Sequence, residues 1–104
     1  MKIFLAFAVA LIPIVAHATE WRPCGSGSDY RAHRLVPQGW KGADFRSACA
    51  KHDHHYRERG ITKAQADCEF LQDMLAQCKY SKRPRQAKHV ARFMYRAVRR
   101  YGRY

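Results

Sequence analysis

The residues of this chain best equipped for chemistry are His52, Asp53 and Asp67, all within the stretch Asp44–Cys78. The helical period decides which of them can meet. Phe45, Ala48, Cys49, His52 and Tyr56 recur at three- and four-residue steps, so they share one face of a first helix. Asp67, Phe70, Leu71, Met74, Leu75 and Cys78 do the same on a second. Each apolar stripe thus carries one ionisable residue near an end, and two such stripes facing each other would bury His52 against Asp67. A buried imidazole wants a carboxylate to fix its tautomer. Held in that way it is a general base, able to take a proton from water while the carboxylate stabilises the imidazolium.

The elements that must position these groups have readable ends. Asp44 is a good N-cap for the first helix and Gly60 a good stop. Thr62 with Gln65 three residues on predicts a capping box for the second helix, which should run to about Cys78. Ser81 to Arg85 is a basic turn, and Pro84 suits the first position of a third helix. There Ala87, Val90, Ala91, Met94, Ala97, Val98 and Tyr101 form an apolar stripe. Lys88, Arg92, Arg96, Arg99, Arg100 and Arg103 lie mainly beside or opposite it. Glu20 to Ala43 reads as a loop punctuated by glycine and proline, without helical or alternating period. Neither an internal repeat nor a strand is predicted.

The run Ala48-Cys49-Ala50-Lys51-His52-Asp53-His54-His55-Tyr56, followed by Asp67 three residues before Phe70, resembles the active-site helix pair of the secreted phospholipase A2 superfamily, and its bacterial branch most of all. Pro23-Cys24-Gly25-Ser26-Gly27 resembles the calcium loop of that superfamily, where glycines let backbone carbonyls turn onto a hard cation. The resemblance covers Pro23 to Cys78 well and the third helix loosely. It implies an all-α domain: two antiparallel active-site helices plus a calcium loop and a basic C-terminal helix, disulfide-stabilised through Cys24 and Cys49. It also implies roles. His52 would be the base and Asp67 its partner, with Tyr56 hydrogen-bonded to that aspartate. The carbonyls of Pro23, Gly25 and Gly27 would join the Asp53 carboxylate around Ca2+, and the Gly25 amide would serve the oxyanion. The implied activity is calcium-dependent hydrolysis of the sn-2 ester of glycerophospholipids. The superfamily's bridge between the positions before the tyrosine and before the dyad aspartate has no counterpart here, since His55 and Ala66 stand there.

Met1–Ala18 has a charged start, a short apolar run and a small-x-small end, which predicts a signal peptide and an exported domain over Thr19–Tyr104, secreted or periplasmic. So small an exported domain needs a staple, and all four cysteines lie beyond the signal. Cys68 and Cys78 would stand about 15 Å apart on a straight helix, whereas a disulfide spans no more than about 7 Å between Cα atoms. They pair only if the helix breaks, and otherwise remain free or join another chain. The formal charge is +12, no acidic residue follows Asp73, and ten Lys and Arg occur from Lys79 onward. Such a half suits an anionic partner: a phospholipid surface, lipopolysaccharide or nucleic acid. The resemblance selects the phospholipid surface, with no nucleic acid expected. Two other classes are a catalytically silent cationic membrane-binding protein on the same fold, and a zinc or nucleic-acid protein using His52, His54, His55 and the Arg-rich tail. Neighbouring histidines on a helix point about 100° apart, which suits zinc poorly, and His54 and His55 receive no role.

Overall fold

The computed structural model describes residues 21–25 and 35–104. The predicted signal peptide and the Ser26-Gly27 part of the predicted calcium loop lie outside the described residues. The described chain is mostly helical, with one small sheet. Strand β1 (Gly39–Trp40) pairs antiparallel with β2 (Ala43–Asp44), Trp40 opposite Ala43. Helix α1 spans Arg46–Glu58, α2 Lys63–Gln77 and α3 Pro84–Tyr101, and a 3-10 turn at Cys78–Tyr80 follows α2.

The hairpin corrects the expectation of a structureless loop up to Ala43. Its two connecting residues, Lys41 and Gly42, both have positive φ, of 50° and 106°, the backbone that matches a two-residue turn to the twist of its strands. A side chain at Gly42 would also press on the Tyr80 carbonyl. The hairpin is then tied to the start of α3. Lys82 N–H donates to the Lys41 carbonyl, Ser81 Oγ donates to the Trp40 carbonyl, and Trp40 Nε1 donates to Gln86.

The helix ends differ from expectation by a residue or two. Asp44 is drawn into the hairpin, so the N-cap of α1 is Phe45. From one position further out the Asp44 carboxylate still accepts the Arg46 N–H, at 3.0 Å. At the other end Arg59, not Gly60, takes the left-handed conformation that closes the helix, with its N–H on the His55 carbonyl. The capping box of α2 forms as predicted, Thr62 and Gln65 satisfying each other's backbone N–H groups. Pro84 opens α3.

Helix α2 packs against both α1 and α3. The core comprises Phe45, Ala48 and Cys49 of the first stripe, Phe70, Met74 and Cys78 of the second, and Ala87, Ala91 and Met94 of the third. The two fully buried alanines of α3 carry no bulk, so that helix can lie close on its neighbours. Tyr101 departs from the predicted stripe: it is 73% exposed, like Phe93 at 67%. Cys24 and Cys49 form a disulfide with Cα atoms 5.0 Å apart. Cys68 is free and exposed, Cys78 free and buried, because α2 runs unbroken between them.

Candidate functional site

The site grows from the contact of α1 with α2. The pairs Lys51–Asp73 and His55–Glu69 show the two helices running in opposite directions. That alignment sets His52 against Asp67. His52 is 6% exposed and Asp67 completely buried. Nε2 of His52 lies 2.7 Å from Oδ1 of Asp67. An ionised carboxylate only accepts hydrogen bonds, so the facing nitrogen carries the proton and Nδ1 of the neutral ring keeps a lone pair. Nδ1 has no partner among the described residues. Phe70 stacks on the imidazole at 4.4 Å between ring centres and Tyr56 tilts against it at 4.3 Å, so packing as well as the hydrogen bond fixes the ring.

Tyr56 donates its hydroxyl to the same Oδ1 of Asp67 at 2.5 Å. Burial, and then that bond to an anion, push its phenol well above the usual tyrosine range. It is therefore a permanent donor. Tyr104 packs edge-on against it, ring centres 5.2 Å apart, bringing the end of the chain over the network. Gly102 allows that return, since a side chain there would meet the Val98 carbonyl and the Tyr56 hydroxyl.

Two partners of Asp67 were not foreseen. Lys63 Nζ and Arg99 Nη1 both donate to Oδ2, each at 2.8 Å. Lys63 sits four residues before Asp67 on the same helix, a spacing that brings side chains together and was open to reading. Arg99 comes from α3, and its position among many arginines gave no signal. Burial pushes the Asp67 carboxyl up, but the bonds from His52, Lys63, Tyr56 and Arg99 outweigh it and hold the group at about 2.

Facing side chains of α1 and α2 are also joined by charge. Lys51 lies 3.1 Å from Glu69 and 3.2 Å from Asp73, and His55 Nε2 lies 3.3 Å from Glu69. His55 thus gains a structural partner, whereas His54 only tilts against His55 and is exposed.

Of the predicted calcium ligands, Pro23, Gly25 and Asp53 are described and Gly27 is not. The disulfide fastens the Pro23–Gly25 segment to α1 one turn before Asp53. Gly25 has φ of +80°, and a side chain there would strike Val36 at 2.7 Å, so the backbone passes where only glycine fits. Gln38 takes both the N–H and the carbonyl of Cys24, consistent with a ligand set that skips Cys24. The described donors are a carboxylate and carbonyls, all hard oxygen, which fits calcium. Among the described residues no three His, Cys, Asp or Glu side chains gather around one point, so backbone carbonyls would have to supply most of such a site. Comparison of the chain with protein-family models, with curated proteins and with solved structures returned no match.

Proposed function

We propose that this chain is an exported, calcium-dependent phospholipase A2 of the secreted superfamily that its active-site stretch resembles, hydrolysing the sn-2 ester of glycerophospholipids. The observation that carries the reading is the buried His52–Asp67 pair with the Nδ1 lone pair left over. The disulfide that ties Cys24 to α1 one turn before Asp53 supports it, and it also suits an oxidising compartment.

Nδ1 of His52 takes the proton from the attacking water, which removes the need for a nucleophilic side chain. Asp67 then faces an imidazolium through Nε2–H and stabilises it, as the aspartate of a Ser-His-Asp triad does. Tyr56 keeps the carboxylate aimed. Phe70 excludes bulk solvent from one side of the ring. The Gly25 amide would donate to the developing oxyanion. The Asp53 carboxylate, with the carbonyls of Pro23, Gly25 and Gly27, would hold Ca2+, whose charge polarises the ester carbonyl and offsets the substrate phosphate.

The partner is a phospholipid surface, preferably anionic, met by the basic α3. A second reading has its own support. Exposed Phe93 and Tyr101 lie among the arginines of α3, a surface that a catalytically silent membrane-binding protein would also use.

Fatty-acid release from mixed phospholipid vesicles, with calcium or with chelator, separates the two. We expect release with calcium and none with chelator, and a loss of about 100- to 10,000-fold in His52→Gln. Asp53→Asn should lose calcium binding and activity together. Vesicle binding without release would establish the silent reading instead.

A further inference from the structure

We propose that Lys63 and Arg99 are positioning residues of the reaction centre, clamping Oδ2 of Asp67 so that Oδ1 is left to His52 and Tyr56. This deepens the hydrolase reading and rests on it for its kinetic consequence, but not for its structural one.

The accounting of donors carries the proposal. A carboxylate offers about four acceptor sites. Asp67 fills four: His52 and Tyr56 on Oδ1, Lys63 and Arg99 on Oδ2. No rotation of the carboxyl keeps all four, so the group is locked in a completely buried position. An ammonium has three donors, and Lys63 places all of them: on Asp67, on the Val98 carbonyl at 2.8 Å and on the Arg99 carbonyl at 3.2 Å. Those two carbonyls belong to the last turn of α3, where the helix dipole attracts a cation, and the Val98 carbonyl also accepts the Gly102 N–H. One side chain therefore joins the start of α2, the dyad aspartate and the end of α3. Arg99, from that same last turn, returns to Asp67 and closes the loop.

The charges point the same way. Two cations against one buried carboxylate are more than neutralisation requires, and a lone cation would satisfy the charge. A second one is explained by geometry: with both present, Oδ2 is engaged from two directions and Oδ1 faces the imidazole. By holding the carboxylate in that place, the clamp preserves the contact that keeps the proton on Nε2 and the lone pair on Nδ1, the form in which His52 is a base toward water.

The test uses the full chain labelled with nitrogen-15, read at one fixed alkaline pH, beside kinetics on a monomeric short-chain phospholipid with calcium. Wild type should show His52 in the single Nε2–H form. Arg99→Gln and Lys63→Gln should populate both ring tautomers and lower kcat about 10- to 100-fold with KM little changed, the usual cost of disturbing groups that orient a functional side chain. Arg99→Lys and Lys63→Arg should restore most of the single tautomer. Arg99 is partly exposed, so its variants should stay folded even if Lys63→Gln, which removes a donor from two carbonyls at the end of α3, does not. A folded Arg99→Gln protein that keeps one Nε2–H tautomer and full kcat overturns the proposal. If wild type hydrolyses no lipid, the hydrolase reading fails, and the ring spectra still decide whether the clamp sets the tautomer.

Discussion

Acid should destabilise this protein chiefly through Asp67. In the folded chain its carboxyl sits at about 2, against an ordinary 3.8. The gap is nearly two pH units, and each unit corresponds to about 1.4 kcal/mol, so the linked stability is about 2 kcal/mol. The sign follows from the direction. A depressed carboxyl contributes fully above its unfolded value, so the contribution is present above about pH 4. It is lost as pH falls from there toward 2, when the unfolded chain binds a proton that the folded one refuses. For a domain of this size about 2 kcal/mol corresponds to roughly 10 °C in Tm. Asp44 and Glu69 are also lowered, by bonds from Arg46 and from Lys51 respectively. Both pairs lie at the surface, where solvent and salt screen them. Thermal melts from pH 7 to pH 2 in about 0.5 M salt therefore isolate the buried group, and a carbon-13 titration of the Asp67 carboxyl reports it directly. A carboxyl that titrates near 4, or a Tm that is flat down to pH 2.5 in high salt, would refute the argument.

Reducing Cys24–Cys49 should remove about 3 kcal/mol, the chain-entropy value for a bridge closing a separation of 25 residues, and should weaken calcium affinity with it; chemical denaturation and calcium titration with and without reductant measure both. Gly25→Ala should lower calcium affinity and activity together, because the new methyl meets both a positive φ and the Val36 side chain; unchanged affinity would show that this backbone is not part of the ion site. Phe93, Arg96 and Arg100 recur at three- and four-residue steps, placing an exposed ring and two guanidiniums on one face of α3. With up to about 1 kcal/mol for each basic residue near an anionic bilayer, Arg92, Arg96 and Arg100 together should favour such vesicles about a hundredfold. Changing these three to Gln should erase the preference and spare hydrolysis of a monomeric lipid, whereas a set that includes Arg99 should damage both.

The last distinction shows what was legible in the sequence and what was not. The stripes of α1 and α2 are local, so period alone places Phe45, Cys49, Phe70 and Met74 in the core and sets His52 toward Asp67. The capping box of Thr62 and Gln65 and the opening of α3 at Pro84 are local too. The misses involve competition or distance. Asp44 was a fair N-cap, but the same residue is wanted by the Gly39 pairing in the hairpin, and the hairpin takes it. The turn at Lys41-Gly42 was obscured because lysine rarely adopts positive φ, and each strand is only two residues long.

Arg99 is the instructive miss. By period it stands off the apolar stripe, and nothing separates it from Arg92, Arg96, Arg100 or Arg103 along the chain. Only its place in the last turn of α3, beside the first turn of α2, aims it at the buried carboxylate 32 residues away. One arginine of a basic helix thus reaches the buried carboxylate with its guanidinium while staying partly exposed itself. The consequence is mechanical: α3 carries surface charge and at the same time holds Asp67, so a displacement of its last turn must loosen that carboxylate. A membrane-bound α3 can keep His52 aligned only if it docks as a rigid body through its outer face, leaving the Lys63 and Arg99 bonds in place.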